Sequence, residues 1–261
     1  MRTKGLLSII MLLGLLFTVQ AADHVKGNGT LTTKKIKIDD YNAIKIDGVI
    51  DFNYEQSNAE PYIEITVDEN LHEYVNINIK DRELSVGFKG AKVDHYTKFI
   101  VKTNSKWLKE VKAAGNANFM INSSLTGDEV KIKANSNCLV QLKELIKVGK
   151  LELNVSGSAN MVVNDLQVDK LECSINGSGT INLKKGNAKE GEYSITSSGE
   201  IMAFGVDVPE LSCKMTGNGT MEVHPTSNLK ANVVGKGKIR YKGPTAVQQK
   251  VIGKGSVEEV K

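Results

Sequence analysis

SINGSGTIN, Ser174–Asn182, sets a Gly-Ser-Gly corner between two stretches in which apolar and polar residues alternate. Close variants recur from residue 114 onward: AGNAN (114–118), ANSNC (134–138), SGSAN (156–160), NGSGT (176–180), TSSGE (196–200), TGNGT (216–220), VGKGK (234–238) and IGKGS (252–256). Centred on their middle residues, these eight corners repeat every 18–22 residues. LELNV, LECSI, LSCKM and LKANV precede the corners, and MVV, INL, MEV and IRY follow them. A period of two marks strands with one buried face. A strand–corner–strand unit of this length cannot cover its own apolar face, so neighbouring units must stack. The pattern predicts an all-β protein, a parallel β-solenoid of about eight 18–22-residue rungs, with rungs ~4.8 Å apart.

Within each corner the first slot holds Gly115, Asn135, Gly157, Gly177, Ser197, Gly217, Gly235 and Gly253. Glycine and asparagine are common visitors to left-handed backbone, so this slot is expected to need positive φ. The third slot holds Ala117, Asn137, Ala159, Gly179, Gly199, Gly219, Gly237 and Gly255, where alanine points to a demand for small size instead. A similar string, KGNGT (26–30), is a candidate ninth corner. Cys173 and Cys213 fall in one column two rungs apart, roughly 9.6 Å, beyond disulfide reach. Both read as small core residues, and Cys138 as a free thiol.

Residues 34–103 break the period. KIKIDDYNAIKIDGVIDFNYEQ alternates as one or two strands; PYIEITVDENLHEYVNINIKDRELSVGFK reads as a strand, a helical turn near Glu69–Tyr74 and a hairpin turned at Asp81-Arg82; KFIVKT adds a strand. At the N-terminus, Arg2 and Lys4 precede an apolar run from Leu6 to Val19, and small Val19 and Ala21 place a signal-peptide cut after Ala21. The expected organisation is a signal peptide (1–21), a front β segment or cap (22–104) and the repeat solenoid (105–261), with 34–257 readable as one continuous domain. The apolar run is short for a membrane span and no second one follows, so no transmembrane span is expected after signal removal. Losing Arg2 and Lys4 from 34 basic residues leaves 32 against 30 acidic, and a near-neutral charge gives no reason to expect nucleic acid.

The Asp47–Val49 DGV, the ENLHEYVNINIKDREL stretch and the serial L-x-x-x-[SN]-G-S-[AG] corners together resemble the bacterial head GIN domain family of auto-transporter adhesin heads, a family of unknown function, over about residues 34–257. The resemblance implies a solenoid-like all-β fold, an exported bacterial location and no established enzymatic activity. AGNAN and ANSNC depart from it in their depleted glycines.

The residues themselves supply no chemistry. A glycosidase needs two carboxylates ~5–10 Å apart. In the column after the third slot (Asn118, Cys138, Asn160, Thr180, Glu200, Thr220, Lys238, Ser256), Glu200 stands alone, and Asp165 and Asp169 read as solvated turn residues. His24, His72, His95 and His224 are scattered, with no metal-ligand spacing. The expectation is therefore a non-enzymatic protein with no cofactor and no metal, a structural or adhesin-like module meeting a glycan or an envelope protein in the periplasm, on the outer surface or in the medium; the alternative is a carbohydrate-active lyase or hydrolase on a β-helix. Trp107, the one tryptophan, reads as packing at the junction of front segment and repeats. Lys236, Lys238, Arg240 and Lys254 form a candidate edge for an anionic ligand, although such charges more simply block strand pairing at an open solenoid end. Oligomeric state is not legible.

Overall fold

The computed structural model describes residues 24–260, so the expected signal peptide lies outside the described residues. Among these there is no α-helix, only a 3-10 turn at Glu69–Leu71 within the region expected to turn. The rest is a stack of parallel coils. Three ladder segments join one coil to the next: Leu139–Leu142 lie on Asn160–Val163, Leu145–Val148 on Asp165–Val168, and Lys150–Gly157 on Lys170–Gly177. The parallel β-solenoid read from the repeat is thus the fold.

Alternation and registry together make the core. Because equivalent residues pair, each inward position becomes a column. Val155, Ile175, Ile195, Met215 and Val233 form one; Leu153, Cys173, Tyr193, Cys213 and Ala231 form another. All ten side chains are buried, so each coil covers its neighbours' apolar faces and is covered in turn. Tyr193 stands between Cys173 and Cys213, and all three cysteines are free and buried. Burial pushes the thiols of Cys173 and Cys213 well above the ordinary cysteine range, which leaves them inert.

The corners also stack. Gly157 pairs with Gly177, Gly177 with Ser197, Ser197 with Gly217, and Gly217 with Gly235. These first-slot residues have positive φ throughout, from 77° at Gly157 to 136° at Gly177. The third-slot glycines do not have positive φ, but a Cβ on Gly199 would lie 2.5 Å from Ile175 Cγ2, so that slot is limited by space. Two corner assignments need correcting. In ANSNC the left-handed residue is Ser136, with φ 64°, and not Asn135; Ser136 pairs with Gly157. Inward parity fixes this phase, because Cys138 is fully buried in the small third slot and Leu139, rather than Cys138, pairs with Asn160. The ninth corner is Gly48 of DGVID, φ 108°, paired with Gly115; KGNGT lies outside the stack.

Ser197 holds φ 94° with a side chain, a conformation that costs L-residues ~1–2 kcal/mol. Ser197→Gly removes that strain and gives back part of it as unfolded-chain entropy. A net gain of roughly 0.5–1 kcal/mol is expected, visible as a higher urea midpoint at unchanged m-value; a lower midpoint overturns the strain argument.

The front segment enters the stack out of chain order. Ala43–Gly48 and Asp51–Gln56 form a coil that pairs on one side with Glu110–Gly115 and Asn118–Ile121. On its other side lie Glu83–Phe88 and Ile100–Ser105, also parallel. A later piece of chain therefore sits beneath an earlier one. Antiparallel strands end the stack there: Val75–Lys80 closes a hairpin onto Glu83–Phe88, and Tyr62–Asp68 joins Ile100–Ser105 to Leu31–Lys37. The hairpin turns at Asp81 and Arg82, with φ 53° and 62°, as its polar dipeptide predicts. The outermost strand, Leu31–Lys37, carries Lys34, Lys35 and Lys37, charges that discourage edge-to-edge pairing.

Candidate binding surface

Outward positions are stacked by the same registry as the core. Along the broad face, Glu110, Lys131, Glu152, Glu172 and Glu192 form one column, and Glu129, Lys150, Lys170 and Glu190 run beside it. Lysines of one column reach acids of the other. Lys150 Nζ is 3.0 Å from Glu172, and Lys170 Nζ is 2.8 Å from Glu172 and 3.0 Å from Glu192. Lys131 pairs with Glu152, Lys133 with Glu110 at 2.8 Å, and Lys112 bridges Glu110 and Glu83. Ion pairs thus run from coil to coil across the face.

This column holds the stacked carboxylates that the corners lack. They share one repeat slot, the residue after the first apolar one in LELNV and LECSI and its equivalent in GEYSI. Their electrostatics do not suit proton donation. Burial raises the Glu110 carboxyl, but Lys133 and Lys112 hold it below the usual range; Glu152 is likewise raised by burial and lowered further by Lys131 and Asn154. Lys170 is the main cause that depresses Glu172, with Lys150 adding to it against burial. A glycosidase acid must stay protonated near neutral pH; these three are held ionised.

The other candidates are dispersed. Asp165 and Asp169 pair with exposed Lys185 and Lys189 at 2.8 and 2.7 Å. His24 meets Asp94, His224 meets Asp207, and His72 Nε2 lies 3.1 Å from the Thr32 carbonyl oxygen. Of the basic edge, Lys236 and Lys254 stand at successive corner tips, and Lys238 begins the strand Lys238–Tyr241. Arg240 does not belong with them: its guanidinium is paired with Glu222 from the preceding coil. Trp107 is not packed at the junction. Leu108 takes the buried position, so parity turns the neighbouring indole outward, 45% exposed.

The sequence model of the family described as "Putative auto-transporter adhesin, head GIN domain" matches residues 40–244, from just before the Ala43–Gly48 strand to just beyond the Lys238–Tyr241 strand. The chain belongs to that head GIN domain family. Among solved structures it is similar to a putative adhesin from Parabacteroides merdae ATCC 43184, at 79% identity and TM-score 0.91, covering 92% of this chain and 100% of that one. A putative adhesin from Parabacteroides distasonis ATCC 8503 is 73% identical, with TM-score 0.91 and coverage of 91% and 100%. A putative lipid binding protein from the same strain is 35% identical, with TM-score 0.86 and coverage of 92% and 100%. No curated protein matches the chain. The head GIN family and these adhesin relatives are named for adhesion and not for a reaction, an adhesin-like assignment. Among the described residues no helix is long and apolar enough to cross a membrane.

Proposed function

We propose that the chain is exported and acts outside the cytoplasm as a non-enzymatic binding module, with 34–257 forming one continuous domain. The observation that carries this reading is the broad face: side chains repeat at the spacing of the coils, and Glu110, Glu152, Glu172 and Glu192 are each paired with a lysine. A regular array of polar groups suits recognition of an extended, repeating envelope component, and the lysines that hold Glu110, Glu152 and Glu172 ionised suit binding better than proton donation by a glycosidase acid. The adhesin names of close relatives point the same way. The test incubates labelled protein with isolated envelope fractions and purified polysaccharides. Saturable binding without release of reducing ends or unsaturated sugars is expected; chain cleavage overturns the reading.

A second surface is favoured by the corner tips. Lys236, Lys238 and Lys254 make no ion pair among the described residues, and Val234 and Ile252 stand exposed beside the tips. This edge suits the anionic groups of a polysaccharide, a reading compatible with a relative named for lipid binding. Affinity for an anionic polysaccharide is expected to fall with salt, and at low salt to drop about tenfold in Lys236→Glu/Lys254→Glu. Salt-independent binding, or an unaffected variant, rules the edge out as a binding surface.

A further inference from the structure

Trp107 borders an open groove of ≈ 620 Å³ whose other lining includes Lys109, Glu110, Asp128, Glu129 and Lys131. The indole is exposed on a segment that is firmly held. The Lys106 amide donates to Asp40, the Lys106 carbonyl accepts from Gln56 Nε2, the Trp107 carbonyl accepts from Ser105 Oγ, and the Lys109 amide donates to the Asn42 carbonyl at 2.7 Å. Gln56 also grips the opposite wall, donating to the Thr126 carbonyl and accepting from its amide at 2.8 Å. One side chain thus sets the spacing between the tryptophan and the facing turn. At Gly127 in that turn, a Cβ would meet nothing within 4 Å, so the wall is low and the groove opens outward.

We propose that this groove is a subsite for a neutral carbohydrate, with the Trp107 ring as the platform for the apolar face of a sugar ring. The inference rests on the binding-module reading above and names its ligand class. An exposed aromatic on a backbone tethered by hydrogen bonds offers a platform to a flat, partly apolar ligand. Asp128 and Lys109 make no ion pair among the described residues, so an acceptor and a donor flank the platform. Acids and lysines are interleaved around it, which disfavours a strongly charged ligand of either sign and suits hydroxyl groups, which both donate and accept.

Because Trp107 is the one tryptophan, its emission reports the site directly. The full chain is screened on an array of neutral glucose-, galactose-, mannose- and N-acetylhexosamine-terminated oligosaccharides, and any sugar bound is titrated by fluorescence. A saturable blue shift is expected. Trp107→Ala should lose ~30-fold or more in affinity by the array readout and Asp128→Asn about tenfold, both with the wild-type thermal midpoint because neither side chain is in the core. A bound sugar whose affinity ignores Trp107→Ala, or a titration that leaves the emission unmoved, overturns the subsite while the binding-module reading stands. Binding of envelope lipid or protein with no neutral sugar on the array likewise overturns the subsite alone. Failure to bind any envelope component sinks both.

Discussion

Gly177→Val is expected to lower stability by about 4 kcal/mol or more, a loss of roughly 10 °C in thermal midpoint, or to prevent folding. Gly177 has φ 136°, a region closed to a β-branched residue. Its Cβ would also collide with the Gly157 carbonyl oxygen and lie 2.9 Å from the Gly157 nitrogen. That oxygen accepts from the Ser178 amide at 2.8 Å, so moving it away breaks the hydrogen bond that joins the two corners. Coils above and below fix the spacing, and the strain cannot escape along the stack. The side chains already present in the column show the same rule, since Ser197 pairs with glycine on both sides. Gly179→Ala is the control. Its Cβ would collide with the Ala159 oxygen and with Val155 Cγ1, but its φ is ordinary, and Ala117, Cys138 and Ala159 fill that slot in successive coils, so adjustment is available. A cost of ~1–2 kcal/mol is expected there. Equal midpoints for the two variants, measured by calorimetry, refute the division into a conformational slot and a spatial one.

That division is legible in the sequence because glycine, asparagine and alanine have different steric meanings, and the period brings equivalent positions together. The phase error at ANSNC falls where this signal is weakest. With no glycine in the string, asparagine is the better candidate for left-handed backbone, but the alternation of Val130, Ile132, Ala134 and Cys138 decides parity and puts the corner on Ser136. The order of the front coils is not legible. Nothing local in Glu83–Phe88 states that it pairs with Ala43–Ile46 rather than with the next strand along; that choice is made by which coil is left to cover. The carboxylate column of Glu152, Glu172 and Glu192 is legible in the repeat slot, yet it lies in the strands between the corners, where glycine gives no landmark. Trp107 is misplaced by a similar loss of signal: a lone aromatic at a junction suggests packing, whereas the parity of Leu108 turns it outward.

Asp68→Ala is expected to cost about 3–5 kcal/mol, and the damage should be confined to one end of the molecule. Asp68 is fully buried, at the end of the Tyr62–Asp68 strand. Its carboxylate accepts from the Gly29 amide at 2.7 Å, the Thr97 amide at 2.7 Å and the Thr97 hydroxyl at 2.9 Å. It therefore ties the incoming segment at Gly29 to the turn at Thr97, where the His24–Lys26 and Lys92–His95 strands pair. A Cβ on Gly27 would lie 2.5 Å from the Asp68 Cγ, so the chain wraps closely over the carboxylate. Alanine leaves three donors without their acceptor. Hydrogen exchange should accelerate at Gly29 and Thr97 and in the paired strands 24–26 and 92–95, while Leu151–Val155 stays protected; uniform loss of protection overturns the local role. The pH dependence has a definite sign. Burial raises the Asp68 carboxyl, but the Thr97 and Gly29 hydrogen bonds outweigh it and hold it below the ordinary aspartate range. A carboxyl whose folded value is depressed contributes stability that is full above its unfolded value, ~3.9, and fades as pH falls through the folded one. The gap in stability between wild type and Asp68→Asn should therefore be constant from pH 6 to 8 and narrow below about pH 4. A gap that widens on acidification means that Asp68 enters the fold as the neutral acid, and the three hydrogen bonds do not act on a charge.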